Sequence, residues 1–239
     1  MEHTDKDSAA EWTAADLERD RSWVFEVDPK TRNYLADLAK YAYDQDRALL
    51  DYRRDDFDFG PACPLIARAM EEALHGRGLA IVRGLPRQGL SEKEFELLNW
   101  AIGLHAGVAR PQGRATQYIS QVRNIGTDYR SASGRGFSSD AKLDFHADGA
   151  DLATLGCYNT AKSGGQSMIS SSLTARKMLI AERPDLAEVA CQKFYFSRQN
   201  EEAPDEEPAY GQPLFDTADG RVFCRWNRNR VQSAQKIEG

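Results

Sequence analysis

Apolar residues recur at helical spacing through the first part of the chain and give way to short apolar runs between turn residues in the second. From Lys30, the positions Leu35, Leu38, Ala39 and Ala42 fall on one stripe, predicting a helix to about Asp46 that covers a sheet. A second helix, residues 64–74, carries Leu65, Ile66, Ala69, Met70 and Ala73 on one face and ends near His75 and Gly76. Residues 78–86 form an apolar run between Gly and Pro, the pattern of a buried strand. Ser91 and Glu94 stand three apart as a capping box that opens a helix to about Ile102.

Residues 117–123 alternate and lead into a Gly/Ser stretch, residues 126–139, too poor in large apolar side chains to make core. A segment of that length reads as a binding loop or lid. Beyond it, residues 152–158 and 166–170 read as strands around a turn at residues 163–165. Ser172 caps a helix from Leu173 to about Glu182, and Pro184 opens a short one. Further strands are expected at residues 194–197, 213–215 and 221–226, with an acidic, Pro-containing solvated loop at residues 200–208.

Helices first, then many short strands between turns, predict a mainly β fold: an antiparallel sandwich or barrel with flanking N-terminal helices. Residues 1–22 are polar and Ala-rich and read as a flexible arm with a short helix from Ala14 to Arg19; one domain is expected over residues 23–239. There is no fixed-period repeat and no Gly-rich phosphate loop.

Composition narrows the classes. With 41% hydrophobic residues the chain is globular, and a net charge of −6 supplies no basic field for duplex nucleic acid. No apolar run approaches the roughly 18 residues of a membrane span. Four cysteines, at 63, 157, 191 and 224, are too widely spaced for a zinc site and fit free thiols in a reducing cytoplasm. The N-terminal residues lack a basic leader and an apolar core, so a cytoplasmic location is expected.

The chemistry concentrates at His146-Ala147-Asp148, directly before Gly149. In a strict strand two residues at i and i+2 cannot converge on an ion through local backbone alone, whereas a turn after a strand end lets both reach it. Two His nitrogens and one carboxylate around ferrous iron leave open positions for an organic co-substrate and dioxygen. The same triplet also fits a surface turn in which Asp148 accepts local backbone hydrogen bonds and His146 packs on Phe145.

The run LDFHADGADLATLGCYNTAKSGGQSMISS, with GLAIVRGLP upstream and RWNRN downstream, resembles the TauD/TfdA family of Fe(II)- and 2-oxoglutarate-dependent dioxygenases. The likeness runs from about residue 23 to the C-terminus, and the HxD and SGGxS motifs together carry it. It implies a double-stranded β-helix, a jelly roll, with Fe(2+) at its mouth held by His146 and Asp148. Ser167 lies where the family often contacts 2-oxoglutarate through a hydroxyl. The implied activity is hydroxylation or related oxidation of a small organic substrate by dioxygen.

The family's distal iron-binding His and the Arg that pairs with 2-oxoglutarate come late in the chain, and no His follows position 146 here. The expectation is therefore a jelly roll incomplete at its C-terminus, with little activity of its own, whose open sheet edge would aggregate or be covered in a homo-oligomer. Gln121, Arg123 and Asn124 are candidates for the substrate mouth. Lys142 and Asp144 are expected to form a local ion pair, and Arg130 and Arg135 in the loop weakly favour an anionic substrate. Arg225, Asn227, Arg228, Asn229 and Arg230 make a basic, amide-rich patch expected partly at the substrate entrance. Two other readings are a non-catalytic jelly-roll binding module and a cupin-like metalloprotein that adds His105 to His146 and Asp148.

Overall fold

The computed structural model describes residues 9–111, 117–127, 136–200, 202, 204–218 and 220–237. Two compact units divide the chain: residues 14–109 with 152–164, and residues 1–13 with 110–151 and 165–239. His3, Arg130 and Arg135 lie outside the described residues, as does much of the proposed lid.

The first unit contains α1 (Ala14–Arg19), β1 (Val24–Glu26), α2 (Pro29–Ala42), α3 (Cys63–His75), β2 (Ile81–Arg83) and α4 (Glu92–Ala106). Strands β1 and β2 pair in parallel, Val24 opposite Ile81 and Glu26 opposite Arg83, as expected of strands joined through intervening helices. Helix α2 starts where Asp28 accepts from the Lys30 and Thr31 amides, with Pro29 at the first helical position, where a missing N–H costs nothing. The capping box of α4 forms as its spacing predicts: the Glu94 amide donates to Ser91 Oγ at 3.2 Å, and the Ser91 amide to Glu94 Oε2 at 2.6 Å.

These helices bury the stripes that the sequence marks. Leu35 and Ala39 of α2, Ile66 and Ala69 of α3, and Leu97, Leu98 and Ala101 of α4 are all buried, with Phe59 among them. Burial of the leucine, isoleucine and phenylalanine side chains among these stabilises by roughly 1.5–3 kcal/mol each. Residues 152–158, read as a strand, form none: the segment has no ladder partner among the described residues. It lies instead on α4. Tyr158 packs on Phe95, donates to the Leu90 carbonyl at 2.9 Å, and lies under the Arg87 guanidinium.

The second unit holds α5 (Ser172–Glu182), α6 (Pro184–Ala190), β3 (Phe194–Ser197), β4 (Ala209–Gln212), β5 (Phe215–Ala218), β6 (Arg221–Cys224) and α7 (Arg228–Ala234). Both strand pairs are antiparallel: Phe194 opposes Gln212 in β3–β4, and Phe215 opposes Cys224 in β5–β6. Ala190, Phe196 and Leu214 form the core, with Leu179, Phe194, Tyr210, Phe215 and Val231 packed against it. Ser171 rather than Ser172 caps α5, accepting from the Thr174 amide, and its hydroxyl donates to the Ala10 carbonyl. Thr174 and Lys177 tie the same helix to Trp12 and Glu11, so residues 10–12 are an anchored part of this unit rather than a loose arm.

The described residues thus show seven α-helices and six strands of three or four residues, in three separate pairs. That is more helical than the mainly β expectation. Apolar runs such as residues 152–158 and 166–170 supply side chains for a strand but find no ladder partner here, and a strand exists only through its partner. All four cysteines are free. No helix among the described residues is long and apolar enough to cross a membrane.

Candidate metal centre

His146 and Asp148 are brought together. The chain around them is pinned by an isolated antiparallel bridge between His146 and Asn227, in which the Ala147 amide donates to the Trp226 carbonyl at 2.7 Å. Beyond this bridge the backbone bends at Gly149. His146 Nε2 then lies 3.6 Å from Asp148 Oδ1, too long for a hydrogen bond. Two donors about 2.1 Å from one ion are ~3.0 Å apart at a right angle and ~3.4 Å apart at the tetrahedral angle. The observed spacing is close to what a shared ion requires.

The other ring nitrogen is engaged by the backbone. His146 Nδ1 sits 2.8 Å from the Asp144 backbone oxygen, an acceptor only, so in the neutral ring Nδ1 carries the proton. Nε2 is left with a lone pair. Metal-binding imidazoles are oriented this way, by a backbone carbonyl or carboxylate on the opposite nitrogen. The donor set, one imidazole nitrogen and one carboxylate oxygen, suits ferrous iron. Among the described residues no group of three or more His, Cys, Asp or Glu side chains gathers around one point.

Asn227 was visible in the sequence as part of a basic patch, but not as the partner of the metal turn. Its backbone bridges His146, while its side chain accepts from the Arg230 amide and caps α7. Asp144 faces Arg228 at 3.9 Å, rather than the expected Lys142. Both partners are exposed, so the attraction is small.

The remaining candidates fall as follows. Ser167 lies in an exposed run without regular structure after Gly164 and Gly165, which take positive φ values at the expected turn. Gln121, Arg123 and Asn124 are exposed on a segment that pairs with residues 137–138: the Arg123 amide donates to Phe137 O and the Ile125 amide to Ser138 O. Asn124 spends its side chain locally, accepting from the Gly126 amide where φ is +80°. His105 sits in the last turn of α4, its ring edge-on to Phe59 with centroids 4.6 Å apart. Its Nε2 is buried without a hydrogen-bond partner. His75 ends α3.

Comparison with known proteins agrees with the motif. The chain matches the family described as taurine catabolism dioxygenase TauD, TfdA family over residues 45–239. It is 30% identical over 216 residues to FR-33289 synthase of Streptomyces rubellomurinus (strain ATCC 31215), covering 90% of this chain and 64% of that protein. It is 27% identical over 175 residues to the taurine hydroxylase-like protein SAT17 of Stachybotrys chartarum (strain CBS 109288 / IBT 7711), covering 70% of this chain and 43% of that protein. The chain therefore spans less than two thirds of either relative. It belongs to the TauD/TfdA dioxygenase family.

Proposed function

We propose that this chain carries the iron-binding turn of an Fe(II)- and 2-oxoglutarate-dependent oxygenase that hydroxylates or otherwise oxidises a small organic substrate, on a jelly-roll scaffold to which its antiparallel strand pairs belong. The observation that supports this most is the convergence of His146 Nε2 and Asp148 Oδ1 at 3.6 Å, with Nδ1 engaged by the Asp144 carbonyl. His146 and Asp148 would hold the iron, and Ser167 would contact 2-oxoglutarate. When bound, the iron supplies coupling of 2-oxoglutarate decarboxylation by dioxygen to oxidation of a C–H bond.

The chain's own residues do the positioning. The Asp144 carbonyl accepts from Nδ1 and thereby leaves the Nε2 lone pair turned toward Asp148. Asn227, through its bridge, fixes the height of the imidazole against the neighbouring strand. Gln121 and Arg123 would line the substrate mouth. FR-33289 synthase and a taurine hydroxylase-like protein as relatives are consistent with a small-molecule substrate.

The test is anaerobic Fe(II) binding by the polypeptide and by H146A and D148A. Removing either donor should weaken retention about tenfold or more, at least the loss seen when an outer-shell partner is removed. Binding indifferent to both substitutions overturns the assignment. With only these two donors identified, succinate release from 2-oxoglutarate by the 239-residue polypeptide under ascorbate should be slow, and both variants should abolish what there is. Rapid release would contradict the first of these expectations, and release unaffected by the variants the second.

A further inference from the structure

His146 hangs on a bridge whose far side is the segment between β6 and α7. Upstream, that segment extends the β5–β6 ladder beyond Phe215 and Cys224: the Arg225 amide donates to the Leu214 carbonyl at 2.8 Å. Then come Trp226, whose carbonyl accepts from the Ala147 amide at 2.7 Å, and Asn227, the bridge partner of His146. Downstream, the next residue is already the first of α7, so the placement of this helix decides where the chain leaves the bridge.

A helix of seven residues does not hold itself together in water and takes its place from what it touches. Asn227 caps it, accepting from the Arg230 amide at 3.1 Å. Val231 packs on the cluster of Ala190, Phe196 and Leu214, an apolar contact that has no direction of its own. Direction comes from Arg230, whose guanidinium Nη1 donates to the Ser197 carbonyl at 3.1 Å. Ser197 ends β3, paired with Ala209, and is only 6% exposed, so the acceptor is fixed by the ladder around it. Arg230 is half-buried, and a charge-assisted bond there is stronger than the exposed pair of Arg228 with Asp144 at 3.9 Å. One residue therefore joins both ends of the route: its side chain grips β3, and its amide holds the Asn227 side chain, whose backbone meets His146.

We propose that Arg230 is a positioning residue for the metal turn: by pinning the first turn of α7 to the end of β3, it fixes Asn227 and with it the height of the His146 imidazole. In this role it touches neither ion nor substrate. The effect on metal rests on the iron-turn reading of His146 and Asp148, whereas the hold on the bridge is a property of the fold that is measured without metal.

The whole polypeptide is compared as wild type, Arg230→Met, Arg230→Lys and Leu179→Ala. R230M keeps much of the stem and removes every side-chain donor, R230K keeps a charged donor without the fork, and L179A loosens the same core cluster from α5 and controls for lost stability alone. Hydrogen exchange of the Ala147 amide reads the bridge without metal. The zinc-induced 15N shift of His146 Nε2 and the Zn(II) dissociation constant read the turn, and urea unfolding reads stability. R230M should speed Ala147 exchange about tenfold, the effect of losing a charge-assisted hydrogen bond, and weaken Zn(II) binding roughly three- to tenfold, at or below the loss for a direct outer-shell partner. R230K should recover most of both, and L179A should lower the urea midpoint with Zn(II) affinity unchanged. Ala147 exchange or Zn(II) affinity in R230M equal to wild type, no recovery in R230K, or an equal loss of Zn(II) affinity in L179A would each overturn the proposal. If wild type and H146A bind Zn(II) alike, the metal reading fails on its own, and Ala147 exchange alone then decides whether Arg230 holds the bridge.

Discussion

The imidazole at 146 is oriented by a carbonyl two residues before it and held by a strand partner far along the chain, and only the first of these is local. That is why His146 and Asp148 could be read from their spacing while Asn227 could not: an HxD followed by Gly announces itself, but a bridge between distant segments leaves no trace in either. Asn227→Ala should remove the cap of α7, costing about 1 kcal/mol in a denaturant titration, whereas Asn227→Ser should recover most of it. Equal stability of the alanine variant would show that the cap contributes nothing. A second residue-level expectation concerns acid. The Thr31 hydroxyl and amide donate to Asp28 and hold its carboxyl below the ordinary aspartate value. The folded value is depressed, so this contribution is present above the unfolded carboxyl's pKa and disappears as pH falls through the folded one. Asp28→Asn should therefore flatten the fall of melting temperature between about pH 5 and pH 2. An acid limb identical to wild type would contradict this.

Elements were legible where local chemistry dictates them. The Ser91–Glu94 box and Pro184 at the head of α6 each satisfy or remove an orphan amide within a few residues, and each helix begins there. Ser91→Ala should cost about 1 kcal/mol by loss of the cap, with Ser91→Asp restoring it, as followed by urea unfolding. Strands were less legible because their partners are remote. Residues 152–158 have a strand's apolar content, yet Leu155 is 81% exposed and the segment is held by Tyr158 and by close passage over α4. At Gly156 a Cβ would meet Asn99 and Phe95 at 3.1 Å, tighter than ordinary contact. Gly156→Val should therefore destabilise the helical unit by roughly 1–3 kcal/mol. A variant as stable as wild type would show that this segment is free to lift.

At the level of the whole chain, the family motif conveyed more than periodicity did. Periodicity gave most of the helices and the β3 segment, and a mainly β class that the described residues, with seven helices and three strand pairs, do not display. The division into two units was not foreseen either, because residues 152–164 join the helical unit from far along the chain. The strand-bearing unit depends on few side chains. Phe196→Ala, at a position 1% exposed in a small core, should cost about 3–5 kcal/mol. It should also loosen the β6 extension that carries Arg225 and Asn227, since β5 and α7 pack on the same cluster.

The proposed iron-binding turn depends on one nitrogen, His146 Nε2, being an unprotonated donor aimed with Asp148 at a common ion. Histidine-selective 15N NMR at neutral pH reads it directly, with Zn(II) as a diamagnetic probe. The expected result is an Nδ1–H tautomer for His146, a large zinc-induced shift of its Nε2, and loss of that shift in Asp148→Ala. An Nε2–H tautomer, or a zinc response at His146 that Asp148→Ala leaves intact, would contradict it.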